Sequence, residues 1–214
     1  MKRLIVLIIF VAAPMFLVVA ASKTAGASDL PLWNDHVDIV IAIARWRGDY
    51  GESWIYASQT TETNLSSAER PPHQVFSSIQ LCLELPTRHI CGETPLDGAQ
   101  FQAGGHLSGA TLSVAVPVRD CLRNPPNTCT DTSLQIDLTW TATAPLSQTA
   151  EWHNVISGGC HINERGDVVG RMANITGTIG NGGTDYLVGL GTPLFAELVG
   201  FHSGTTGRGD ITCF

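Results

Sequence analysis

Apolar and polar residues alternate along four stretches of the 214-residue chain, and this period of two constrains the fold more than any other feature. The stretches are HVDIVIAIARW, SIQLCLEL, TLSVAVPV and SLQIDLTW. Successive side chains of an extended strand point to opposite faces, so each stretch predicts a β-strand with one buried face. The residues predicted to face inward are Val37, Ile39, Ile41, Ile43, Ile79, Leu81, Leu83, Leu85, Leu112, Val114, Val116, Val118, Leu134, Ile136, Leu138 and Trp140.

Short segments rich in Pro, Gly, Asn and Asp separate these strands, among them ERPPHQ, RNPPNT and NGGTD. Weaker strands are predicted at 53–60, 151–157, 167–179, 184–190, 194–202 and 210–213. Many short strands with regular turns predict a sandwich or a barrel, and the inward alternation favours an antiparallel β-sandwich of the Ig-like or jelly-roll-like type. The sequence has no internal repeat and no linker, so residues 30–214 are predicted to form one all-β domain.

The first 27 residues have the features of a secretory signal peptide. Lys2 and Arg3 precede an apolar run from Leu4 to Ala21, and small residues at 25–27 form a cleavage site after Ala27. The run approaches the length of about 18 residues that can span a membrane, so an uncleaved N-terminal anchor is the alternative. Pro14 and the small residues favour cleavage. We therefore expect a secreted protein, extracellular or periplasmic, without a membrane span in its mature form.

The charge of the predicted mature chain excludes two classes of partner. Cleavage removes Lys2, Arg3 and Lys23, which takes the formal net charge from −7 to −10 and leaves no lysine. An acidic surface without basic clusters argues against binding to nucleic acid or to anionic membranes. Charged residues make up 14% of the chain, against about 25% in typical soluble domains. This composition suits an extracellular β-rich domain.

Six cysteines, all after the predicted signal peptide, indicate three disulfides, whose connectivity the spacing alone leaves open. A bridge between Cys121 and Cys129 would close a hairpin and fix its antiparallel register. That register places the large apolar residues on one face and polar pairs on the other. The facing pairs would be Ala110 with Trp140, Leu112 with Leu138, Val114 with Ile136, Val116 with Leu134, Arg119 with Asp131, Ser113 with Asp137 and Thr111 with Thr139.

Cys82 and Cys91 form a second local candidate pair, which would place Glu84 beside His89 and Leu83 beside Ile90. Pro86 does not fit a tight primed turn, so this hairpin needs an irregular loop, or else the bridge is longer-range. By exclusion, Cys160 would pair with Cys213.

A metal site is not expected from the sequence. Cys160, His161 and His153 lie close together along the chain, but they lack the ligand spacing of zinc sites. No cofactor motif is present either.

Catalytic motifs such as the nucleophile elbow and the HExxH helix are absent from the sequence. A dispersed catalytic set remains open, because catalytic triads are defined by geometry and not by sequence order. The candidates are His36 beside Asp35, His106 beside Ser108 and His202 beside Ser203. This set gives the alternative function, a secreted hydrolase with a dispersed His/Asp/Ser site.

Four aromatic residues lie close together in the first predicted hairpin, Trp46, Tyr50, Trp54 and Tyr56. Exposed rings there could stack on a glycan. We expect instead that Trp54 and Tyr56 share an inward face and belong to the core.

The tripeptide Arg-Gly-Asp occurs three times, and all three copies are predicted to lie in turns between strands. Integrin recognition would need such an exposed position, but turn chemistry alone also accounts for it. The copy at 47–49 is the preferred candidate for binding because aromatic residues flank it. The candidate binding residues are Arg47, Gly48, Asp49, Arg165, Gly166, Asp167, Arg208, Gly209 and Asp210.

The sequence therefore predicts a secreted, disulfide-bonded β-sandwich without a cofactor. Its expected role is that of a non-enzymatic binding, surface or structural module, whose partner is an extracellular protein or a glycan.

Overall fold

The computed structural model describes residues 32–64, 73–125, 128–156 and 161–208. Most of them lie in antiparallel strands, which confirms the all-β prediction. The strands are β1 (Leu32–Gly48), β2 (Gly51–Asn64), β3 (His73–Glu84), β4 (Arg88–Leu96), β5 (Phe101–Ala103), β6 (Gly109–Leu122), β7 (Thr128–Ala142), β8 (Ser147–Ile156), β9 (His161–Asn181), β10 (Thr184–Asp185) and β11 (Phe195–Arg208). A 3₁₀ turn (Gly105–Leu107) precedes β6, and a short helix α1 (Tyr186–Leu190) follows β10.

All of these strands belong to one sheet, in which β7 pairs with both β6 and β9. Together with the order β9-β11-β1-β2-β3-β4-β6, this double pairing closes eight strands into a ring. The two separate sheets expected from the sequence are thus joined by hydrogen bonds. The connection is β9, which is 21 residues long. Its first part pairs with β8 and β11, and its second part pairs with β7.

The hydrophobic core fills the inside of the ring. The residues predicted to face inward on β6 and β7 are buried, and so are those from Ile79 to Leu85. The β6–β7 hairpin has the predicted register throughout, with Val116 opposite Leu134 and Ala110 opposite Trp140. The remaining predicted pairs are also found, Leu112 with Leu138, Val114 with Ile136, Arg119 with Asp131, Ser113 with Asp137 and Thr111 with Thr139.

The inward face predicted for β1 is wrong. Ala42, Ala44 and Trp46 are fully or almost fully buried, whereas the alternate residues from Val37 to Ile43 are only partly buried. The indole N–H of Trp140 donates to the backbone carbonyl of Ile43 across the ring, at 3.0 Å. Small alanines on the inner face of β1 leave room for such large side chains from the opposite strands.

The prediction that Trp54 and Tyr56 belong to the core is also wrong. Ile55 and Ala57 are fully buried, so the two aromatic residues lie on the outer face of β2 with their ring centroids 5.0 Å apart. The guanidinium of Arg45 lies 5.4 Å from the centroid of the Tyr56 ring.

A strand was predicted at 184–190, but after Asp185 the chain forms α1. The Asp185 carboxylate accepts the backbone N–H of Leu187 at 3.0 Å, as an N-cap does. None of the helices in the described ranges is long and apolar enough to cross a membrane. The predicted signal peptide and the predicted strand at 210–213 lie outside the described residues.

Candidate functional site

A disulfide, an imidazole and a carboxylate lie in contact on the β3–β4 hairpin. The sequence CLELPTRHIC contains Cys-x-Glu and His-x-Cys, so Cys82, Glu84, His89 and Cys91 all lie on one face of the paired strands. With Arg123, which follows β6, they form what we call the His89 cluster. Leu83 and Ile90, on the other face, are buried in the core.

The predicted disulfide between Cys82 and Cys91 is present in this hairpin. Its two cysteines lie directly opposite each other across β3 and β4, as do Glu84 and His89. The loop between the strands is irregular, as Pro86 requires, and the backbone N–H of Leu85 donates to the carbonyl of Arg88.

The imidazole of His89 contacts both sulfurs of the disulfide. Its Nε2 lies 3.1 Å from Sγ of Cys91 and 3.9 Å from Sγ of Cys82. On the other side of the ring, Nδ1 lies 2.7 Å from Oε1 of Glu84. A carboxylate, an imidazole and a sulfur thus form one connected chain, which is the arrangement that supports cysteine chemistry in many proteins.

Glu84 is held by Arg123 and by Ser53. Its carboxylate pairs with the guanidinium of Arg123, and its backbone N–H donates to the buried hydroxyl of Ser53 at 2.8 Å. Arg123 in turn donates through Nε to the carbonyl of Leu85 at 2.8 Å. Its guanidinium lies 5.5 Å from the centroid of the Tyr50 ring. These contacts fix the position of the carboxylate that orients His89.

The His89 cluster is open to solvent on the imidazole side. The side chain of His89 is 42% exposed and that of Glu84 only 19%, while both cysteines are half-buried. A molecule from solution can therefore reach the disulfide, but the carboxylate behind the imidazole is shielded.

A second disulfide joins Cys121 to Cys129 in the β6–β7 hairpin, as predicted. Cys121 lies opposite His89 in the pairing of β4 with β6. Within the described ranges, however, no histidine nitrogen lies within hydrogen-bonding distance of its sulfur or of its partner's. The predicted pair Cys160 and Cys213 lies outside the described residues.

Two of the three histidines proposed for a dispersed catalytic set meet at one carboxylate, which belongs to Asp38. Nε2 of His36 lies 3.2 Å from one oxygen of Asp38, and Nδ1 of His202 contacts the other oxygen. His36, His202 and Ser203 line an open pocket of about 530 Å³ beside β8. His106 lies in the exposed 3₁₀ turn and does not line this pocket.

The three Arg-Gly-Asp copies occupy different environments. Arg47, Gly48 and Asp49 are exposed at the β1–β2 turn, as predicted. The copy at 165–167 lies inside β9 and not in a turn, where the ring of Trp152 covers Gly166 so closely that a Cβ would overlap it. Of the third copy, Arg208 ends β11 and the other two residues lie outside the described ranges. Integrin recognition stays a prediction.

Sequence reasoning placed Glu84 beside His89 but assigned neither residue a role. The two patterns Cys-x-Glu and His-x-Cys, read on one hairpin, could have shown that a carboxylate, an imidazole and two sulfurs share a face. The sequence did not reveal the contribution of Arg123, because β6 reaches β4 only through long-range strand pairing.

No protein-family model matches the chain, and no curated protein matches it. Similar solved structures include an acetoacetate decarboxylase-like enzyme from Sphingomonas wittichii RW1. It is 12% identical, with a TM-score of 0.29 over 92% of this chain and 96% of that chain. Another is the enduracididine biosynthesis enzyme MppR, complexed with the condensation product of pyruvate and imidazole 4-carboxaldehyde. It is 11% identical, with a TM-score of 0.30 over 87% of this chain and 90% of that chain.

A non-enzymatic binding, surface or structural module was predicted from the sequence, whereas both of these similar structures are enzymes, and that prediction is not retained. With TM-scores near 0.3, the similarity determines neither the fold nor the activity of this chain.

Proposed function

We propose that this protein takes part in thiol–disulfide exchange through the Cys82–Cys91 disulfide. The observation that supports the proposal is the 3.1 Å contact between His89 Nε2 and the sulfur of Cys91, in an imidazole already oriented by Glu84. A disulfide of purely structural use does not need an oriented imidazole at one sulfur. Exchange rates depend on which sulfur is attacked and on how well the departing thiolate is stabilised.

The exchange begins when a thiolate from a substrate attacks Sγ of Cys82. The bond between the two cysteine sulfurs breaks, and its electron pair moves to Sγ of Cys91, beside His89 Nε2. A mixed disulfide now joins the substrate to Cys82, and the proton released by the first substrate thiol ends on Cys91. Because His89 lies closer to Cys91 than to Cys82, Cys91 is the better placed leaving group.

A second substrate thiolate then attacks the substrate sulfur of the mixed disulfide. Cys82 leaves with the electron pair and takes up the proton of the second thiol. Two substrate thiols have been oxidised to one disulfide, and the protein disulfide has been reduced to two thiols. The same steps in reverse let the reduced protein open a disulfide of the substrate.

The Glu84 carboxylate and Arg123 act on the imidazole and not on the sulfurs. By accepting the Nδ1–H of His89, Glu84 selects the ring orientation in which Nε2 faces Cys91. Arg123 holds the carboxylate in that position. Both are positioning residues in this proposal.

The proposal places the reaction outside the cytoplasm. In it, residues 1–27 are removed as a signal peptide and residues 30–214 form one domain. Disulfides persist in such compartments, and the substrates would be thiols or disulfides of extracytoplasmic proteins or small molecules. Two disulfides in the described structure are compatible with this location.

The test compares the two hairpin disulfides in one protein. The mature chain is treated with graded glutathione, free thiols are alkylated, and peptide mapping gives the reduced fraction of each disulfide. We expect Cys82–Cys91 to be reduced first, and we expect the protein to catalyse exchange between glutathione and a fluorescent mixed disulfide. The variant C82S/C91S should lose this catalysis, whereas C121S/C129S should keep it. Equal reduction of both disulfides, or catalysis that survives in C82S/C91S, would refute the proposal.

A further inference from the structure

Three potential metal ligands converge at the His89 cluster. One ligand atom from each of Cys82, His89 and Cys91 can be chosen so that all three lie within 4.8 Å of one another. In the described part of the chain, no other group of three or more histidine, cysteine or acidic residues meets this condition. The spacing of these residues along the chain resembles no common zinc motif, so sequence reasoning does not predict a metal at this hairpin.

We propose that the reduced form of this hairpin binds Zn²⁺ through Cys82, Cys91 and His89. The inference rests on the reduction of the Cys82–Cys91 disulfide that the proposed function includes, but it does not depend on catalysis of exchange. While the disulfide is closed, its sulfurs carry no thiolate charge and bind no Zn²⁺. Opening the bond creates two thiolates, the ligands that zinc prefers beside imidazole.

The spacing of the ligand atoms fits tetrahedral zinc. Zinc–sulfur bonds are about 2.3 Å and zinc–nitrogen bonds about 2.0 to 2.1 Å, so neighbouring ligand atoms on one ion lie about 3.6 to 3.8 Å apart. The distances from His89 Nε2 to the two sulfurs, 3.1 and 3.9 Å, lie on either side of that value. Once the sulfur–sulfur bond opens, small side-chain rotations suffice to complete the geometry.

The surroundings of His89 already match the outer shell of a zinc site. Histidine ligands of zinc usually donate their other ring N–H to a carboxylate, which fixes the ring and strengthens the ligand. In His89 that partner is Glu84, at 2.7 Å from Nδ1. Since Arg123 pairs with the same carboxylate, Glu84 is held as a hydrogen-bond acceptor behind the ring rather than as a ligand.

Two thiolates and a neutral imidazole balance the charge of Zn²⁺ and leave one tetrahedral position for water or a substrate thiol. The exposed side of His89 gives that position access to solvent. Bound zinc would hold both sulfurs as thiolates, so it would also keep the dithiol from closing again. We therefore expect Zn²⁺ to inhibit reoxidation of this hairpin.

The experiment uses the mature chain carrying C121S/C129S and C160S/C213S, so that only Cys82 and Cys91 can become thiols. It is reduced without oxygen by a phosphine, which needs no exchange activity. Cd²⁺ reports thiolate binding by its ultraviolet charge-transfer absorption, and a chromophoric chelator measures competition for Zn²⁺. We expect one ion per chain after reduction and none before it. Adding C82S/C91S should abolish binding at this site, and His89→Ala should weaken it by at least about 10-fold, while the matched control His153→Ala should not change it.

Three results would overturn the inference. They are reduced protein that binds no ion, binding that is unchanged by C82S/C91S or by His89→Ala, and a Cys82–Cys91 disulfide that the phosphine does not open in the folded chain. Metal binding without catalysis of exchange would refute the proposed function alone. Catalysis without metal binding would refute the zinc site alone.

Discussion

The two disulfide hairpins are similar in covalent structure and different in surroundings. Cys82 and Cys91 are nine residues apart, and Cys121 and Cys129 are eight apart. Both bridges join directly opposite residues, and β4 lies next to β6 in the ring. An imidazole with its own carboxylate partner contacts the first bridge, whereas no histidine nitrogen in the described ranges contacts the second. In the proposed function, neighbouring side chains, and not the bridge itself, make the first disulfide more reactive than the second.

Removing the imidazole of His89 should abolish the difference in reduction rate between the two disulfides. This is the largest effect that we expect. His89→Ala should slow reduction of Cys82–Cys91 by glutathione by about 100-fold, the lower end of the range for loss of a catalytic acid or base. It should leave the rate at Cys121–Cys129 unchanged. Quenched-flow alkylation followed by peptide mapping measures both rates in one sample, with His153→Ala as the control. Equal slowing at both disulfides would show that the substitution acts on the fold and not on the site.

The variants that remove one disulfide each, C82S/C91S and C121S/C129S, should be similar in stability, although the two disulfides are expected to differ in reactivity. Chain entropy assigns roughly 2 to 3 kcal/mol to a bridge that closes a loop of this length. We therefore expect C82S/C91S and C121S/C129S to lower the free energy of unfolding by similar amounts. Urea denaturation of both variants measures this. A much larger loss in one variant would indicate that its bridge has a structural role beyond closing the loop.

Glu84→Gln should reduce, but not abolish, the difference in reduction rate between the disulfides of the two hairpins. The substitution leaves the hydrogen bond from the backbone N–H of residue 84 to the Ser53 hydroxyl in place. The side-chain amide replaces the charged acceptor behind His89 with a neutral one. We expect about 10-fold slower reduction of Cys82–Cys91. The thermal midpoint should fall slightly, because the ion pair with Arg123 is lost. Partial recovery of the rate in Glu84→Asp would support a positioning role for the carboxylate. A rate equal to that of the unmodified protein would exclude one.

The smallest expected change is in the pH dependence of stability, and it comes from Glu197, which lies outside both hairpins. Burial raises the pKa of Glu197 on β11 above its ordinary value of 4.5. The ionised carboxylate therefore costs stability at neutral pH, and this cost is relieved as the pH falls through the raised pKa. Solvent screens this partly exposed group, so Glu197→Gln should stabilise the protein at pH 7 by no more than about 0.5 kcal/mol.

This advantage of Glu197→Gln should shrink toward pH 4. Unfolding curves of Glu197→Gln and of the unmodified protein at both pH values test this prediction. The same curves for C82S/C91S and C121S/C129S show whether the stability of these two variants depends on pH in the same way. An advantage that grows on acidification would contradict a raised pKa for Glu197.

The parts of the fold that could be predicted are those that local information determines. One assumed pairing, Cys121 with Cys129, fixed every facing pair of the β6–β7 hairpin, because apolar residues occupy only one face there. The same reasoning failed on β1, where Val40, Ala42, Ala44 and Trp46 form a second apolar face that competes with the isoleucines. Closure of the ring depends on which strands β9 meets, and no local pattern encodes that choice.

The candidate site, like the fold, could be predicted only where local strand register determines it. Register placed Glu84 beside His89. The contact between Nε2 and the sulfur of Cys91 depends on side-chain rotation, which the spacing of residues does not determine. The contribution of Arg123 depends on a third strand.

The double pairing of β9 also determines when the fold can be completed during synthesis. A ribosome delivers the chain from its N-terminus, so β1 to β7 emerge before either β9 or β11 exists. Until then these strands can form only an open sheet, whose free edges on β1 and β7 are the surfaces that later receive β11 and β9. Unpaired edges of this kind recruit other strands. The two edges are therefore protected only after the last quarter of the sequence, which carries β9 and β11, has arrived.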